Sequence, residues 1–121
     1  MENIQVALRM RPLNRREIQR QEVNVWQIQN NNTIAINPEA TKEIAGSKKM
    51  LLSTRSSFNF DHCFGFEHDN VSLYRTMVKR VALSSLKGIN GTIFMYGQTG
   101  SGKTYTMMGY NRNEESHEFD T

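Results

Sequence analysis

The amino-acid sequence predicts an α/β fold in which strands alternate with helices and one strand leads into a glycine-rich loop. The clearest observation is in residues 92–108, where the β-branched and aromatic run Thr92–Tyr96 is typical of a buried strand, glycines follow at once, and Thr104 can begin a helix. A second observation is a helical pattern over residues 69–87. A third is an alternating apolar strand near the N-terminus. This order of elements is typical of an α/β fold.

The N-terminal strand is predicted from its period of two. Its apolar residues are Ile4, Val6, Leu8 and Met10. Pro12 ends the strand, because proline has no N–H group to donate to a ladder. Residues 13–21 are polar and rich in arginine, which predicts a loop or a short surface helix.

A small β-hairpin is predicted next. Val23–Ile28 and Thr33–Ile36 flank Asn30–Asn32, and asparagine tolerates the left-handed backbone of a tight turn. Asn37 and Pro38 close the hairpin, and Trp26 is expected to pack within it rather than to serve as a ligand platform. Residues 39–57 are polar and predict an exposed loop; the alternative is a small β lobe that continues through residues 50–52.

The run F-N-F-D at residues 58–61 predicts a second strand with buried phenylalanines, and His62 and Cys63 lie at its end. A lone His–Cys pair falls short of a metal site or a catalytic dyad. Asp69 or Asn70 can cap a helix that runs to about Lys87, and Gly88 suits the position after its end. The residues predicted to share one face of this helix are Tyr74, Met77, Val78, Val81, Ser85 and Leu86.

Composition limits the classes of function. The 121 residues suffice for one domain, and the net charge of +3 is too small to argue for a nucleic-acid partner. The single cysteine excludes an internal disulfide. No apolar run approaches the ~20 residues of a membrane span, and Arg9 and Arg11 interrupt any signal core. We therefore expect a cytoplasmic protein without a membrane partner.

The stretch G-Q-T-G-S-G-K-T fits the phosphate-binding pattern G-x-x-x-x-G-K-[ST]. Glycines let the backbone approach phosphate oxygens closely, Lys103 can place a cation at the β- and γ-phosphates, and Thr104 can offer its hydroxyl to Mg²⁺. The alternative is a glycine-rich turn without a ligand. The predicted phosphate cradle comprises Gly97, Gln98, Thr99, Gly100, Ser101, Gly102, Lys103 and Thr104.

Three blocks of the chain resemble the N-terminal part of a kinesin motor domain. They are I-Q-V-A-L-R-M-R-P-L-N at residues 4–14, F-N-F-D-H-C-F at residues 58–64, and N-G-T-I-F-M-Y-G-Q-T-G-S-G-K-T-Y-T-M at residues 90–107. The departures are small: Met95 stands where the family usually has alanine, Ile89 where an aromatic is common, and Cys63 where valine is common.

The resemblance implies a partial P-loop NTPase fold of kinesin type over residues 1–121, with ATP and Mg²⁺ as ligands and microtubules as the partner. It implies a cytoskeletal location. Arg9, Arg11 and Pro12 are implied to flank the adenine, with the proline stacked on it. Tyr105 matches a family position near the base, although a helix-surface tyrosine is an equally good interpretation.

The family's switch motifs, N-x-x-S-S-R and D-L-A-G-S-E, do not occur among these residues. No residue here is a credible general base, so we expect no catalytic residue in this stretch and no hydrolysis by it alone. The family's dimerisation region is also expected to be missing, with residues 110–121 forming a polar loop at a truncated end. Because the family pairs Thr92–Tyr96 with strands beyond this stretch, we also expect the isolated chain to be unstable.

Two other functions remain open at this point. One is a nucleotide-binding remnant that docks a partner without hydrolysis. The other is a different P-loop enzyme, such as a nucleotide kinase or a GTPase, which the blocks around the loop disfavour.

Overall fold

The computed structural model describes residues 4–43 and 57–109. The chain forms two compact units, Met1–Glu67 and His68–Thr121. The possible β lobe at residues 50–52 and the predicted polar loop at 110–121 lie outside the described residues. Within the described ranges, no helix has the length and apolar character needed to cross a bilayer.

The first unit contains five strands and two short helices in its described part: β1 (Ala7–Arg9), α1 (Arg15–Gln19), β2 (Trp26–Asn30), β3 (Thr33–Ile36), α2 (Pro38–Glu43), β4 (Ser57–Asn59) and β5 (His62–Phe64). Strands β1 and β5 pair in parallel, whereas β2, β3 and β4 form an antiparallel sheet in that order. The parallel pair is typical of an α/β fold, and the antiparallel sheet corresponds to the predicted hairpin with one further strand.

Strand β1 is shorter than the alternating pattern predicts. Leu8 lies opposite Cys63 in the parallel pair. Beyond the pair, Met10 N donates to Phe64 O at 2.9 Å, and Val6 N donates to the Asp61 carboxylate at 2.7 Å. Ile4 stays 79% exposed because β5 offers partners only from residue 62 onward. The period of two therefore located the strand correctly but overestimated its buried length.

The F-N-F-D run does not form the single strand that the sequence predicted: Phe58 and Asn59 lie in β4, whereas Phe60 and Asp61 lie between β4 and β5. Ser57–Asn59 pairs with β3, and His62–Phe64 pairs with β1. Two carbonyls of the hairpin tip hold the chain where it changes sheets: Asn32 O accepts from Phe60 N at 2.8 Å, and Asn31 O accepts from Cys63 N at 2.6 Å. Of Phe58, Phe60 and Phe64, only Phe64 is fully buried, as is the neighbouring Cys63.

The predicted hairpin is confirmed. Strands β2 and β3 pair around the turn at Asn31 and Asn32, with a register shift between Ile28 and Asn30. Trp26 packs against Phe58 of β4, with ring centroids 5.9 Å apart. The prediction of an exposed loop from residue 39 onward was wrong at its start, because Pro38–Glu43 is helical and Ala40 is buried.

Proline suits the first turn of α2, where its missing N–H costs no hydrogen bond. The side chain of Asn37 accepts a bond from Glu39 N at 3.1 Å and so begins the helix. Short caps of this kind are visible in the sequence, but a six-residue helix is too brief to show a clear apolar period.

The second unit begins with a long helix, α3, which has an α-helical start at Asn70–Leu73, a π-helical segment at Tyr74–Val78 and an α-helical end at Lys79–Leu86. The Asp69 carboxylate caps it by accepting from Ser72 N at 2.7 Å, which lowers the pKa of Asp69. Gly88 adopts the left-handed φ of +80° just after the end. Both predicted boundaries are therefore confirmed.

The apolar face predicted for α3 is only partly buried. Leu73 is buried, whereas Tyr74 is 46% exposed and Leu86 is 83% exposed. The π-helical segment also rotates the face, because it holds more residues per turn than an α-helix. A helical period shows which residues share a face, but it cannot show whether another element covers that face.

Candidate phosphate-binding site

The residues that lead into the glycine-rich loop do not form a strand. The prediction of a buried strand at Thr92–Tyr96 was wrong: no described residue pairs with it in a ladder, Phe94 is 80% exposed and Tyr96 is 98% exposed. The physical reason is that a strand needs a neighbour to satisfy its N–H and C=O groups, whatever its side chains prefer. Just before it, Gly91 approaches α3 so closely that a Cβ would lie 2.5 Å from Val81 Cγ1.

The loop owes its shape to its glycines. A tight turn is closed by Ser101 N, which donates to Gln98 O at 3.1 Å. Gly100 and Gly102 have φ angles of +79° and +93°, which side chains with a Cβ rarely tolerate. At Gly97 a Cβ would overlap the Ser101 hydroxyl oxygen. Gly100 and Gly102 are therefore required by the backbone angles, and Gly97 is required by the position of the Ser101 side chain.

A short helix, α4 (Lys103–Met108), follows the loop directly. Gly102 occupies its N-cap, and Gly102 O accepts from Thr106 N at 3.0 Å and from Thr106 Oγ1 at 2.8 Å. Thr104 is exposed on this helix. Tyr105 is 40% exposed, and its carbonyl accepts from Gly109 N at 2.9 Å and from Asn70 Nδ2 at 3.0 Å. The Asn70 bond ties α4 to the first residue of α3, which the sequence did not indicate.

The Lys103 side chain folds back over the loop. Its ammonium donates to Gly97 O at 2.6 Å and to Gln98 O at 2.8 Å. The loop carbonyls thus hold a cation at the place where the motif requires one. Phosphate oxygens are charged acceptors and form stronger bonds with an ammonium than neutral carbonyls do.

The Ser101 hydroxyl is buried without a hydrogen-bond partner, alone among the side-chain groups of the described ranges. Buried hydroxyls normally have a partner, because leaving one unpaired costs free energy. An orphaned donor inside a loop of close-packed glycines fits a ligand that brings acceptor oxygens. The residues present therefore suit a phosphate group.

The residues predicted to flank the adenine lie in the first unit. Arg9 ends β1 and is half-buried, and Pro12 is exposed. Arg11 makes a two-pronged ion pair with Glu17 of α1, at 2.8 Å (Nη1 to Oε2) and 2.6 Å (Nη2 to Oε1). The arginine-rich sequence did not predict this pairing. The sequence does indicate a fixed position for Glu17, since Asn14 and Glu17 have the spacing of a capping box.

Glu17 takes part in that capping box as well as in the ion pair. Glu17 N donates to the Asn14 side chain at 2.9 Å, and Asn14 N donates to Glu17 Oε2 at 2.8 Å. Hydrogen bonding from Arg11, followed by that from the Asn14 backbone, lowers the pKa of Glu17 to about 2. The same pair raises the pKa of Arg11.

Comparison with known proteins decides the family. The kinesin motor domain family model matches residues 9–117. The chain belongs to the kinesin motor domain family. Among curated kinesin relatives, it is 45% identical over 108 residues to the kinesin-like protein KIN-7A of Arabidopsis thaliana and to the kinesin-like protein NACK1 of Nicotiana tabacum. It is 38% identical over 106 residues to kinesin-related protein 4 of Dictyostelium discoideum.

These matches cover most of this kinesin chain but little of its relatives. The first two cover 89% of the chain and 10% of the relative, and the third covers 88% and 5%. The chain thus spans about a tenth or less of the curated kinesins it matches. A solved fast kinesin, described for its ATPase mechanism and its interactions with microtubules, matches with a TM-score of 0.72 at 34% identity, over 93% of this chain and 28% of that one. The fold is that of a kinesin-type P-loop NTPase, present here in part.

Proposed function

We propose that this chain is the ATP-binding part of a microtubule motor, and that residues 97–104 hold the phosphates of Mg·ATP. The observation that carries the proposal is the loop geometry, in which left-handed glycines lead into Lys103 while its ammonium lies on the loop. Membership of the kinesin family supports ATP as the nucleotide and microtubules as the track. Cytoskeletal localisation is part of the same proposal.

The proposed roles follow from the chain's own groups. Lys103 exchanges its bonds to Gly97 O and Gln98 O for bonds to phosphate oxygens, because charged acceptors bind an ammonium more strongly. The Ser101 hydroxyl gains its missing partner. The glycines of the loop let phosphate oxygens approach its backbone, because no Cβ stands in the way.

Thr104 would hold Mg²⁺ through its hydroxyl, and the described residues contain no group of three His, Cys, Asp or Glu side chains that could hold the ion instead. We assign Arg9, Arg11, Pro12 and Tyr105 to the base side of the nucleotide. When bound, Mg·ATP supplies the phosphoanhydride bond whose cleavage drives a motor. Residues that position the attacking water are not found among the 121, so we propose that this stretch binds ATP without hydrolysing it by itself.

The test compares nucleotide binding by the chain and by its Lys103→Ala variant, using a fluorescent ATP analogue at equilibrium with Mg²⁺ present. Loss of a charge-assisted phosphate contact costs about 1.5–3 kcal/mol, so we expect Kd to rise about 10- to 150-fold. Lys79→Ala is the matched control, because it removes an exposed lysine of α3.

Equal affinity of the wild type and Lys103→Ala would contradict the proposed cradle. Phosphate release is measured in the same samples, with and without microtubules. We expect microtubules not to stimulate phosphate release. Stimulated release by the 121-residue chain would contradict the proposal that this stretch lacks the residues that position the attacking water.

A further inference from the structure

The ion pair between Arg11 and Glu17 joins two parts of the first unit that are distinct in sequence. Arg11 lies in the segment that leaves β1, and Glu17 lies in α1. The two carboxylate oxygens accept from both terminal nitrogens of the guanidinium, in the fork-to-fork geometry that restricts both side chains.

The guanidinium also holds its own backbone. Arg11 Nη1 donates to Pro12 O at 2.9 Å, in addition to its bond with Glu17. At least three of the five guanidinium donors therefore serve the protein itself. Glu17 in turn accepts from Asn14 N at 2.8 Å, so the peptide groups at both Pro12 and Asn14 are fastened to one charged pair.

We propose that Glu17 is a positioning residue for the nucleotide base: acting through Arg11, it holds the segment Arg9–Pro12 in the shape that receives the base. The inference rests on the proposed function, which places that segment on the base side. Burial supports a fixed geometry, because the Arg11 and Glu17 side chains are 35% and 28% exposed and so are partly shielded from water.

Three donors of Arg11 bind Pro12 O and the Glu17 carboxylate, so Arg11 holds the backbone of the segment in place. Substituting Glu17 removes the ion pair that holds Arg11 and changes no residue of the loop 97–104. Binding of the base should therefore weaken, whereas binding of the phosphates should not.

The experiment is a double-mutant cycle on the 121-residue chain with the variants Glu17→Ala, Arg11→Ala and both together. Each is titrated with two competitors of the fluorescent ATP analogue, namely ATP and inorganic tripolyphosphate, which carries phosphates but no base. We expect each single variant and the double variant to weaken ATP binding by the same factor, about tenfold, with tripolyphosphate affinity changed less than twofold. Glu22→Ala, an exposed acid just beyond α1, is the control and should leave both affinities unchanged.

Three results would overturn the inference: ATP affinity unchanged in Glu17→Ala, losses that multiply in the double variant, or equal losses for ATP and tripolyphosphate. Lys103→Ala in the same assay tests the underlying function, because it must weaken both competitors. If it weakens neither, the proposed cradle fails and this inference fails with it.

Unfolding of the first unit is monitored separately. Cys63 is 1% exposed and lies in β5, paired with β1, so its reaction with a thiol reagent reports on that unit. In the variants of the cycle, we expect the labelling rate of Cys63 to stay within about twofold of the wild type, because the mutated side chains lie outside the β1–β5 pair. Rapid labelling in Glu17→Ala would assign its effect to lost structure and would overturn the positioning role.

Discussion

Two stretches of similar apolar and aromatic character reach opposite states in this protein. The residues of β5 pair with β1 and are buried, with Cys63 and Phe64 each 1% exposed. Residues 92–96 pair with nothing in the described chain, and Phe94 is 80% exposed. The side chains favour a strand in both cases. The difference is the partner, because a ladder requires a second row of backbone groups at the correct distance.

The comparison shows how the geometry of each unit is fixed. The first unit contains strand partners for its own strands and fixes its geometry internally. In the second unit the phosphate loop is shaped by local devices instead: left-handed glycines, the turn at Gln98–Ser101 and the bonds of Lys103. The loop at residues 97–104 therefore keeps its turn although residues 92–96 before it belong to no ladder in the described chain.

The largest expected contrast comes from truncating one phenylalanine in each stretch. Phe64→Ala removes a fully buried ring, which costs about 3–5 kcal/mol and should leave the first unit unfolded, because small domains have little stability to spare. Phe94→Ala removes an exposed ring and should change stability by less than about 0.5 kcal/mol. The measurement is the labelling rate of Cys63 for Phe64→Ala and amide hydrogen exchange in α3 for Phe94→Ala. Protection that survives Phe64→Ala would show that pairing, rather than burial, holds β5.

A smaller effect is expected at the Asp61 carboxylate, which accepts from Val6 N at 2.7 Å and extends the pairing of β1 and β5. Asp61→Ala leaves that N–H without its acceptor and should destabilise the first unit by about 1 kcal/mol. Asp61→Asn is the matched variant, because it keeps an acceptor oxygen. It should reduce the stability of the first unit by less than half as much as Asp61→Ala does. Hydrogen exchange at Val6 and at the amides of β5 measures both, and equal losses in the two variants would show that the charge, rather than the hydrogen bond, stabilises this end.

The smallest expected effect is the pH dependence of stability that Glu17 of α1 contributes. Because the pKa of Glu17 falls from 4.5 to about 2 on folding, its stabilisation is fully present above pH 4.5 and is lost as the pH falls toward 2. Carboxyl NMR titration of Glu17 should give a midpoint near pH 2, and Arg11→Ala should raise it because the largest cause of the shift is removed. An unchanged midpoint in Arg11→Ala would contradict the conclusion that the bond from Arg11 is the largest cause of the lowered pKa of Glu17.

Much of the local structure was predictable from residues that act on their own backbone. Asp69 and Gly88 marked both ends of α3, asparagines marked the hairpin turn, and the glycines of the loop indicated its left-handed angles. The predicted cradle residues 97–104 do lie together on one loop and the first turn of α4. These signals are readable because the interacting groups are only a few residues apart.

What could not be predicted depends on partners that are distant in sequence. The end of β4 before Phe60 and the passage of the chain to the other sheet depend on carbonyls of the hairpin tip, which lies about thirty residues earlier. The bond from Asn70 to the Tyr105 carbonyl joins two helices. The ion pair of Arg11 and Glu17 joins residues only six positions apart, so it could have been predicted. It was not, because a run of arginines is usually solvated.

The hairpin tip at Asn31 and Asn32 also limits how this chain can change in length. Exposed hairpin tips ordinarily accept insertions, tags and proteolytic nicks. Here the tip carbonyls accept from Phe60 N and Cys63 N at the point where the chain passes from one sheet to the other. A single added residue would displace both acceptors at once, so a tip that looks permissive is closed to insertion, and an affinity tag on this unit is better placed away from it.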